Sequence, residues 1–310
     1  MKSSFGECSI NILNYNTYNK TKVCIESCLK QIGVDFTIIV IDNKSTDDSL
    51  AKLKGEYLEK IVFLENEENY GFARGNNIGV RFASAHGVKY SLLLNSDTEL
   101  VSEKILVNLV EIIKSNSRCA VVAPTIYNVT SKGLQLLNND SKYLALLRKF
   151  HILPQLRRVS ENIDTISEAH GSALMIKNSI FEEVGGFPEH YFMYCEESTF
   201  AKKIIWGGYD IFWFKSDTQY ILHHHDKTGK VDKWRLYLMG RNRYLEYNDY
   251  KKYAPFKWKV VFEIIILKRI IDGDKAIIQG IIDGRKLIKT GKSKDEIFSL
   301  GREAIERIGS

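Results

Sequence analysis

The chain has 310 residues, of which 44% are hydrophobic and 26% are charged. These values describe an ordinary globular protein, long enough for one large α/β domain or two modest ones. No apolar run reaches the roughly eighteen residues of a transmembrane helix, and residues 1–6 lack the apolar segment of a signal peptide. The five cysteines include one weakly metal-like spacing, Cys24 and Cys28. We therefore predict a cytoplasmic protein with reduced thiols.

The net charge of +6 lies in the C-terminal tail, because residues 251–310 hold 14 Lys and Arg residues but 8 Asp and Glu residues. The rest of the chain is neutral, which argues against a nucleic-acid-binding protein. A basic tail predicts attraction to an anionic membrane surface. Residues 256–271 are apolar enough to lie in a membrane interface and too interrupted to span it. A core helix or a contact in a homo-oligomer fits the same pattern.

Apolar periodicity predicts alternating strands and helices in the first part of the chain. Strands are expected at 9–16, 36–41, 61–64 and 90–94, with helices at 21–31, from 45 onward and from 74 to 87. This order predicts a parallel, doubly wound sheet. Residues 125–165 lose clear periodicity, which is typical of a lid or a substrate-specific insertion. Later strands are expected at 170–176, 209–214 and 219–222, and the pattern is helical from 234 onward.

The apolar run 90–94 ends abruptly in Asn95, Ser96 and Asp97. In an α/β protein, ligands bind beyond the carboxyl ends of the strands, so Asp97 is placed where a substrate would lie. A hard cation that bridges this carboxylate to a diphosphate suits such a position. The alternative is a helix cap, in which Ser96 or Asp97 only starts the next helix.

Residues 69–79 place glycines at 71, 75 and 79 beside several asparagines. Such a backbone can approach a ligand closely, and a helix that begins near Arg74 would aim its N-terminal amides at an anion. Because the glycines are four residues apart, this is not a dinucleotide-binding motif. The spacing also fits a helix that packs tightly on the sheet.

Two further segments carry candidate chemistry. Aromatic residues surround Glu196 and Glu197 at a predicted helix start. A carboxylate against apolar walls can act as a base near neutral pH. The alternative is that the two carboxylates only interact with the helix dipole. The run 223–226 contains three histidines and an aspartate at a strand end, where one metal ligand is expected. Arg241 and Asn242 suit a diphosphate, although a charged helix face gives the same pattern.

Five segments in register resemble the family 2 glycosyltransferases of GT-A fold, closest to the rhamnosyltransferase-like branch. The likeness covers roughly residues 8–245. The matching segments are Asn-Tyr-Asn at 14–16, the Asp motif at 41–47, N-x-G-F-A-x-G-x-N-x-G at 69–79, the L-N-x-D-T version of the metal-binding D-x-D at 94–98, and the G-G-F segment that leads to Glu-Glu at 185–197.

The resemblance implies a role for each of these positions. Asp42 would hydrogen-bond the pyrimidine base of the donor, and Glu197, with Glu196 as the alternative, would take the proton of the acceptor hydroxyl. Asp97 and His223 would hold Mg²⁺ or Mn²⁺ across the donor diphosphate. The donor-binding set is Asn14, Tyr15, Asp42, Asn69, Gly71, Arg74, Asn77, Asn95, Ser96, Arg241 and Asn242.

The sequence departs from the family pattern at three places. Asn95 replaces the first acid of D-x-D, so the metal would rest on Asp97 and a histidine. Pro188 stands where the family usually has Asp. The segment 197–200, Glu-Ser-Thr-Phe, replaces D-x-D-L, so the base is one methylene longer and lacks its neighbouring acid.

We therefore expect an α/β protein of GT-A type, with a Rossmann-like doubly wound, mostly parallel sheet in residues 1–235 and a basic helical extension in 236–310. The resemblance implies an inverting, metal-dependent glycosyltransferase that uses a dTDP- or UDP-sugar. Its acceptor would be a glycan, expected to be lipid-linked, in bacterial surface polysaccharide synthesis at the inner face of the cell membrane. Two alternatives are a non-catalytic nucleotide-sugar-binding or scaffold protein and a sugar-phosphate nucleotidyltransferase. The latter normally has a Gly-rich phosphate loop where this chain has residues 14–18.

Overall fold

The computed structural model describes residues 5–137, 142–224, 232–251 and 255–309. The chain forms two compact units. The first comprises Met1–Asn139, Leu156–Phe187 and Ala201–Asp226, and the second comprises Asp140–Gln155, Pro188–Phe200 and Lys227–Ser310. The second unit thus includes residues 236–310, where the extension is expected, and also three stretches of the range expected for the GT-A domain: 140–155, 188–200 and 227–235.

Strands and helices alternate in the first part of the chain, as the periodicity predicts, except that a short extra strand follows β4 directly. The elements are β1 (Cys8–Asn14), α1 (Tyr18–Leu29), β2 (Phe36–Asp42), α2 (Ser49–Tyr57), β3 (Val62–Glu65), α3 (Gly71–Ala85), β4 (Tyr90–Asn95), β5 (Thr98–Leu100), α4 (Ile105–Ser115) and β6 (Cys119–Ala123). Helix α3 begins at Gly71, three residues before the predicted start at Arg74.

The region 125–165 contains short regular elements that its weak periodicity does not reveal. They are β7 (Thr125–Thr130), β8 (Gly133–Leu136), α5 (Lys142–Lys149), β9 (Arg158–Ser160) and β10 (Ile163–Thr165). The remaining elements are β11 (Ala173–Lys177), α6 (Asn178–Glu183), α7 (Glu196–Trp206), β12 (Asp210–Phe214), β13 (Tyr220–His223), α8 (Lys233–Tyr250), α9 (Pro255–Ile271), α10 (Lys275–Lys289) and α11 (Lys294–Gly309). Within the described ranges, no helix combines the length and the apolar character needed to cross a membrane.

The main sheet confirms the predicted α/β fold class. Its strand order is β3-β2-β1-β4-β11-β6-β12-β10-β9. Strands β3, β2, β1 and β4 are parallel, and β11 runs antiparallel to both β4 and β6. A second sheet has the order β5-β13-β7-β8. The parallel register pairs Asn14 with Asp42, and Leu13 with Asn95. The polar ends of β1, β2 and β4 therefore meet at one edge of the main sheet.

Helices cover both faces of the parallel strands. On one face, Ile10 and Ile12 of β1 pack with buried residues of α1, α2 and α4. On the other face, Ile39 and Ile41 of β2 pack with Ala83 of α3. Because successive side chains of a strand point to opposite faces, strands buried on both sides appear as continuous apolar runs. This explains the continuous apolar runs at 38–41 in β2 and 92–94 in β4.

The second unit is built on a very close crossing of α8 and α10. A Cβ atom at Gly240 would lie 2.1 Å from the Ile277 carbonyl oxygen, and one at Gly280 would lie 2.0 Å from the Tyr237 carbonyl oxygen. Only glycine allows backbones to approach this closely. Two glycines, one on each helix, thus fix the distance between α8 and α10.

Candidate functional site

The polar edge of the main sheet is organised around Asp42, at the end of β2. Asn14 Nδ2 donates to Asp42 Oδ1 at 2.7 Å. The Ser45 backbone N–H donates to Asp42 Oδ2 at 2.8 Å, and the Ser45 hydroxyl donates to Oδ1 at 2.6 Å. Asp42 and Asn14 are both buried. The carboxylate is thus held in one orientation by β1 and by its own turn, while its contact with a nucleobase stays a prediction.

The turn after β1 links Asp42 to the end of β4. Tyr15 is 42% exposed, so its ring is open to a ligand. Asn16 follows with a φ of 55°, a left-handed conformation that asparagine tolerates better than most residues. The Thr17 hydroxyl lies 3.0 Å from Asn14 Oδ1 and 3.0 Å from the Ser96 hydroxyl. Three predicted donor-binding residues, Asn14, Tyr15 and Ser96, therefore lie around one turn.

The glycine-rich segment has a mixed role. Gly71 has a φ of 65°, and its backbone N–H donates to Asn69 Oδ1 at 3.0 Å. This left-handed start places Arg74 in the first turns of α3, where its guanidinium lies 5.3 Å from the Tyr70 ring centroid. In contrast, a Cβ at Gly75 would lie 2.6 Å from Leu13 Cδ1. Gly75 therefore serves the packing of α3 on the sheet.

Asn77 is a structural residue. Its Nδ2 donates to the Phe187 carbonyl at 3.0 Å, and its Oδ1 accepts from the Phe187 N–H at 3.0 Å. The side chain is fully buried. Asn77 thus fixes the backbone of the Gly-Gly-Phe segment, and a direct contact with the donor, as the resemblance implies, stays a prediction.

Asp97 lies in a two-residue turn between β4 and β5. The next helix, α4, begins only at Ile105, so the alternative that Ser96 or Asp97 caps a helix is wrong. The Asp97 carbonyl accepts the backbone N–H of His224 at 2.8 Å, which ties this turn to the end of β13. Asn95 ends β4 with its N–H donated to the Ser172 carbonyl at 3.0 Å.

His223 faces Asp97. Its Nε2 lies 3.4 Å from Asp97 Oδ1, and its Nδ1 lies 2.8 Å from Asn128 Oδ1. An amide oxygen only accepts, so Nδ1 carries the hydrogen and the lone pair of a neutral imidazole is at Nε2. Neighbouring ligands of an octahedral cation at about 2.1 Å lie about 3 Å apart. An imidazole nitrogen and a carboxylate oxygen at this separation fit a divalent metal ion.

The surroundings of this pair keep Asp97 ionised. Burial raises the pKa of Asp97. When His223 is protonated instead and donates from Nε2, its hydrogen bond and charge, together with the charge of Lys20, outweigh burial and leave the pKa of Asp97 lowered. Of the other histidines in the run, His224 binds Glu99 through Nε2 at 2.9 Å. His225 and Asp226 lie outside the described residues. Among the described residues, no group of three or more His, Cys, Asp or Glu side chains converges as a metal site.

The sequence does not indicate that two further residues, Asn128 and His170, lie near His223. Asn128 is the register partner of His223 across β7 and β13, a pairing between segments almost a hundred positions apart. The His170 ring centroid lies 5.9 Å from that of His223, and His170 Nδ1 is 2.8 Å from the Ser172 hydroxyl. Their proximity depends on strand order, which the local sequence pattern does not specify.

In the second unit, the two candidate bases differ in exposure. Glu196 and Glu197 form the first turn of α7. Glu196 is 2% exposed, and Glu197 is only partly buried. A general base must reach its substrate, so this difference favours Glu197 over Glu196. The backbone just before them is strained, because Tyr194 and Cys195 have φ values of 73° and 70°.

The position of Arg241 and Asn242 corrects the expectation that they contact the diphosphate. Both are fully buried in the second unit. Asn242 Nδ2 donates to the Met193 and Tyr194 carbonyls at 2.7 and 2.8 Å. Arg241 Nε donates to Asn242 Oδ1 at 2.9 Å, and its guanidinium packs on Gly301. Burial and these internal bonds make the pair a clamp on the strained segment before α7.

A buried polar network supports the same helix. Glu246 is fully buried and accepts from the Ser198 hydroxyl at 2.9 Å. It also accepts from Arg243 and, at 3.2 Å, from the Tyr143 hydroxyl. Ser198 follows Glu197 directly, so the network anchors the first turn of α7. Arg243 lies one turn before Glu246 on α8, but Ser198 and Tyr143 come from α7 and α5, and the sequence does not reveal that they meet Glu246.

Residues 9–185 match the family model described as Glycosyl transferase family 2. The chain belongs to this family. The match includes the strand ends that carry Asn14, Asp42 and Asp97, so the family and the enzyme class predicted from the sequence, a glycosyltransferase, are both confirmed.

Several family 2 relatives build glycans, to judge from their names. The chain is 28% identical over 253 residues to the low-salt glycan biosynthesis hexosyltransferase Agl10 of Haloferax volcanii, covering 80% of this chain and 78% of that protein. It is 25% identical over 243 residues to the rhamnosyltransferase WbbL of Escherichia coli, covering 71% of this chain and 87% of WbbL. The O-antigen chain rhamnosyltransferase WbaN of Salmonella anatum is 25% identical to this chain, and the match covers 68% of this chain and 64% of WbaN. These relatives confirm the likeness to the rhamnosyltransferase branch.

Solved glycosyltransferase structures share the fold. A mannosyltransferase from Pyrobaculum calidifontis, solved with GDP-Man and Mn²⁺, superposes with a TM-score of 0.58 at 14% identity. The match covers 98% of this chain and 81% of the mannosyltransferase chain. GalNAc-T7, solved with UDP, GalNAc and Mn²⁺, has a TM-score of 0.58 at 15% identity and covers 77% of this chain. The match spans 48% of GalNAc-T7. These similarities confirm the GT-A fold.

Proposed function

We propose that this family 2 glycosyltransferase transfers a hexosyl or rhamnosyl group from a dTDP- or UDP-sugar to a hydroxyl of a glycan acceptor, with inversion. The observation that carries the proposal is the Asp97–His223 pair, in which Nε2 and Oδ1 are 3.4 Å apart. The polar ends of β1 and β2, with Asn14 and Asp42, lie on the same sheet edge as the end of β4.

Asp97 and His223 are the residues that would hold Mg²⁺ or Mn²⁺. Such a cation neutralises the charge that develops on the departing nucleoside diphosphate. Asn128 orients His223, and the lowered pKa of Asp97 keeps its carboxylate charged at neutral pH. Arg74, at the start of α3, is the cationic side chain of the glycine-rich segment that we assign to the diphosphate.

Glu197 is assigned as the general base. Its carboxylate takes the proton of the acceptor hydroxyl while the oxygen forms a bond to the anomeric carbon. In the same displacement, the bond from that carbon to the diphosphate oxygen breaks and the nucleoside diphosphate leaves. One displacement inverts the anomeric configuration. Glu196 is buried, and we assign it a supporting role in the first turn of α7.

We further propose that the acceptor is lipid-linked and that the protein works at the cytoplasmic face of a membrane in polysaccharide synthesis. The names of Agl10 and WbaN, which refer to glycan and O-antigen synthesis, support this choice. So does the basic charge of residues 251–310.

A thermal-shift panel of UDP, dTDP, GDP and CDP, each with and without Mn²⁺, tests the donor site. One pyrimidine diphosphate should raise the melting temperature, and only in the presence of metal. Glu197→Gln should keep this shift and abolish sugar transfer, whereas Glu196→Gln should retain transfer. If nucleotides bind but neither wild type nor any variant turns over a donor, the protein is a nucleotide-sugar-binding protein and the proposal is wrong.

A further inference from the structure

Helix α9 has an apolar stripe that faces solvent. The stripe consists of five exposed large side chains: Phe256, Ile264, Leu267, Ile270 and Ile271. At 3.6 residues per turn, these positions fall within an arc of about 120° on the helix surface. Phe256 is 79% exposed and Ile271 is 75% exposed. Such contiguous exposed apolar surface marks an interaction site more often than a solvated face.

The opposite face of α9 anchors the helix in the second unit. Trp258, Val261 and Phe262 are buried. Phe262 stacks on Tyr247 of α8, with ring centroids 4.3 Å apart, and clusters with Ile277 and Ile281 of α10. Helix α9 therefore has a buried face that is separate from the exposed stripe.

Basic residues border the stripe on both sides. Lys257 and Lys268 lie along one edge and Lys259 lies along the other, all exposed. The acidic residue in the sequence of α9, Glu263, is exposed and falls within the same arc, between Ile270 and Phe256. The helix thus presents an apolar stripe that one glutamate interrupts and three lysines border, so the patch has a net positive charge.

We infer that the stripe of α9 inserts into the interface of an anionic lipid bilayer, with Lys257, Lys259 and Lys268 on the lipid phosphates. An interfacial helix combines an apolar face with flanking Lys residues in this way, and long Lys side chains can extend to the headgroups. Each Lys near an anionic surface strengthens binding about fivefold.

A second copy of the chain is the rival occupant, and the charges disfavour it. A two-fold contact uses the same patch on both copies, so the lysine borders of the two stripes would approach one another. Lysine is also depleted at protein–protein interfaces. An anionic bilayer, in contrast, complements the net positive charge of the patch, in which three lysines outnumber Glu263.

Sedimentation of the full chain with vesicles tests the inference, with no donor or metal present. The chain should bind vesicles of phosphatidylcholine with phosphatidylglycerol, and binding should fall at high salt and on phosphatidylcholine alone. The pair Leu267→Glu with Ile271→Glu, and the pair Lys257→Glu with Lys268→Glu, should each weaken binding at least tenfold.

Two matched substitutions elsewhere serve as controls. Leu58→Glu places a charge on another exposed leucine, which is 63% exposed, and Lys132→Glu reverses an exposed lysine in the β7–β8 turn. Both should bind vesicles like wild type. All variants should keep the wild-type melting temperature, because every substituted side chain is exposed.

Three results would overturn the inference. The wild-type chain could fail to sediment with anionic vesicles, or the stripe variants could bind as well as Leu58→Glu. Light scattering could instead show a dimer that the stripe variants convert to a monomer, without vesicle binding, and the patch would then be a contact between copies. The proposed sugar transfer is tested separately on a soluble acceptor, where the stripe variants should retain wild-type turnover.

Discussion

Asn128 and His223 are directly paired across two strands, with Asn128 Oδ1 2.8 Å from His223 Nδ1. Because the amide oxygen accepts the Nδ1 hydrogen, the pairing directs the Nε2 lone pair of neutral His223 at Asp97. Histidines that bind metals commonly donate their second N–H to an oxygen in this way. The pairing therefore connects the small β5-β13-β7-β8 sheet to the chemistry proposed at the end of β4.

The first prediction concerns the metal. His223→Asn and Asp97→Asn should each abolish the nucleotide-induced thermal shift that depends on Mn²⁺, and chelation with EDTA should do the same to wild type. His224→Asn is the matched control, because the His224 imidazole binds Glu99 instead. It should keep the shift. Equal loss in His224→Asn would contradict the assignment of His223 as the ligand.

The second prediction concerns Asn128 as a positioning residue. Asn128→Ala should lower the affinity for Mn²⁺ about 10- to 100-fold, measured by titrating metal at saturating nucleotide. Turnover at saturating metal should return close to the wild-type value, which a direct catalytic role would not allow. Gln135→Ala, at the register partner of Asn128 on β8, is exposed and should leave metal affinity unchanged.

The sequence predicts the site best where the chemistry is local. Asp97 follows β4 and Asp42 ends β2, and both strands are parallel to β1, which lies between them. Strand periodicity alone therefore places both carboxylates at the same edge of the sheet. Asn128 and His170 lie near His223 only because of strand order and pairing, which no local pattern encodes. The fold was predictable to the same extent: alternating periodicity gives the parallel strands, but the antiparallel position of β11 depends on long-range pairing.

For Arg241 and Asn242, the sequence suggests a ligand contact where the structure shows buried residues that support the fold. Their residue types suit a phosphate, and helical periodicity alone does not specify which side of α8 is covered. The structure buries them because α10 and α11 pack on that side, with Gly280 and Gly301 allowing the approach. A polar pair on a helix can thus be a structural clamp when another helix covers it.

The third prediction concerns the crossing of α8 and α10. Gly280→Ala should destabilise the protein by several kcal/mol, because its Cβ would lie 2.0 Å from the Tyr237 carbonyl oxygen, and backbone atoms cannot move aside cheaply. A Cβ at Gly55, within α2, would meet no atom within 4 Å beyond the adjacent residues and the helix's own backbone. Gly55→Ala should be neutral or stabilise by up to about 1 kcal/mol. Chemical unfolding of both variants measures the difference.

The fourth prediction is a pH dependence at the start of α11. Hydrogen bonds from Lys292 and from the Ser293 N–H lower the pKa of Glu296 to about 2. A lowered folded-state pKa gives a stabilisation that is present above the unfolded value and is lost as the pH falls towards 2. The difference in melting temperature between wild type and Glu296→Gln should therefore shrink as the pH falls from about 6 to about 3. Glu303→Gln, exposed on the same helix, is the control and should show no such trend.

The fifth prediction separates the two roles considered for Asn242. Its amide donates to the Met193 and Tyr194 carbonyls, just before the positive φ angles of Tyr194 and Cys195. Asn242→Ala leaves both half-buried carbonyls without this donor, which should cost about 1–3 kcal/mol of folding free energy. The first turn of α7 with Glu197 should then be held less firmly, so turnover should fall.

Nucleotide affinity decides between a clamp and a phosphate contact. If Asn242 is a clamp, Asn242→Ala should lower kcat and leave the Kd for the nucleoside diphosphate within about twofold of wild type. If it binds the diphosphate, the Kd should rise about tenfold or more, because a donor to a charged oxygen is lost. Asn242→Asp sharpens the comparison: a carboxylate cannot donate to the two carbonyls, so a clamp predicts a greater loss of stability than in Asn242→Ala, again without a change in Kd.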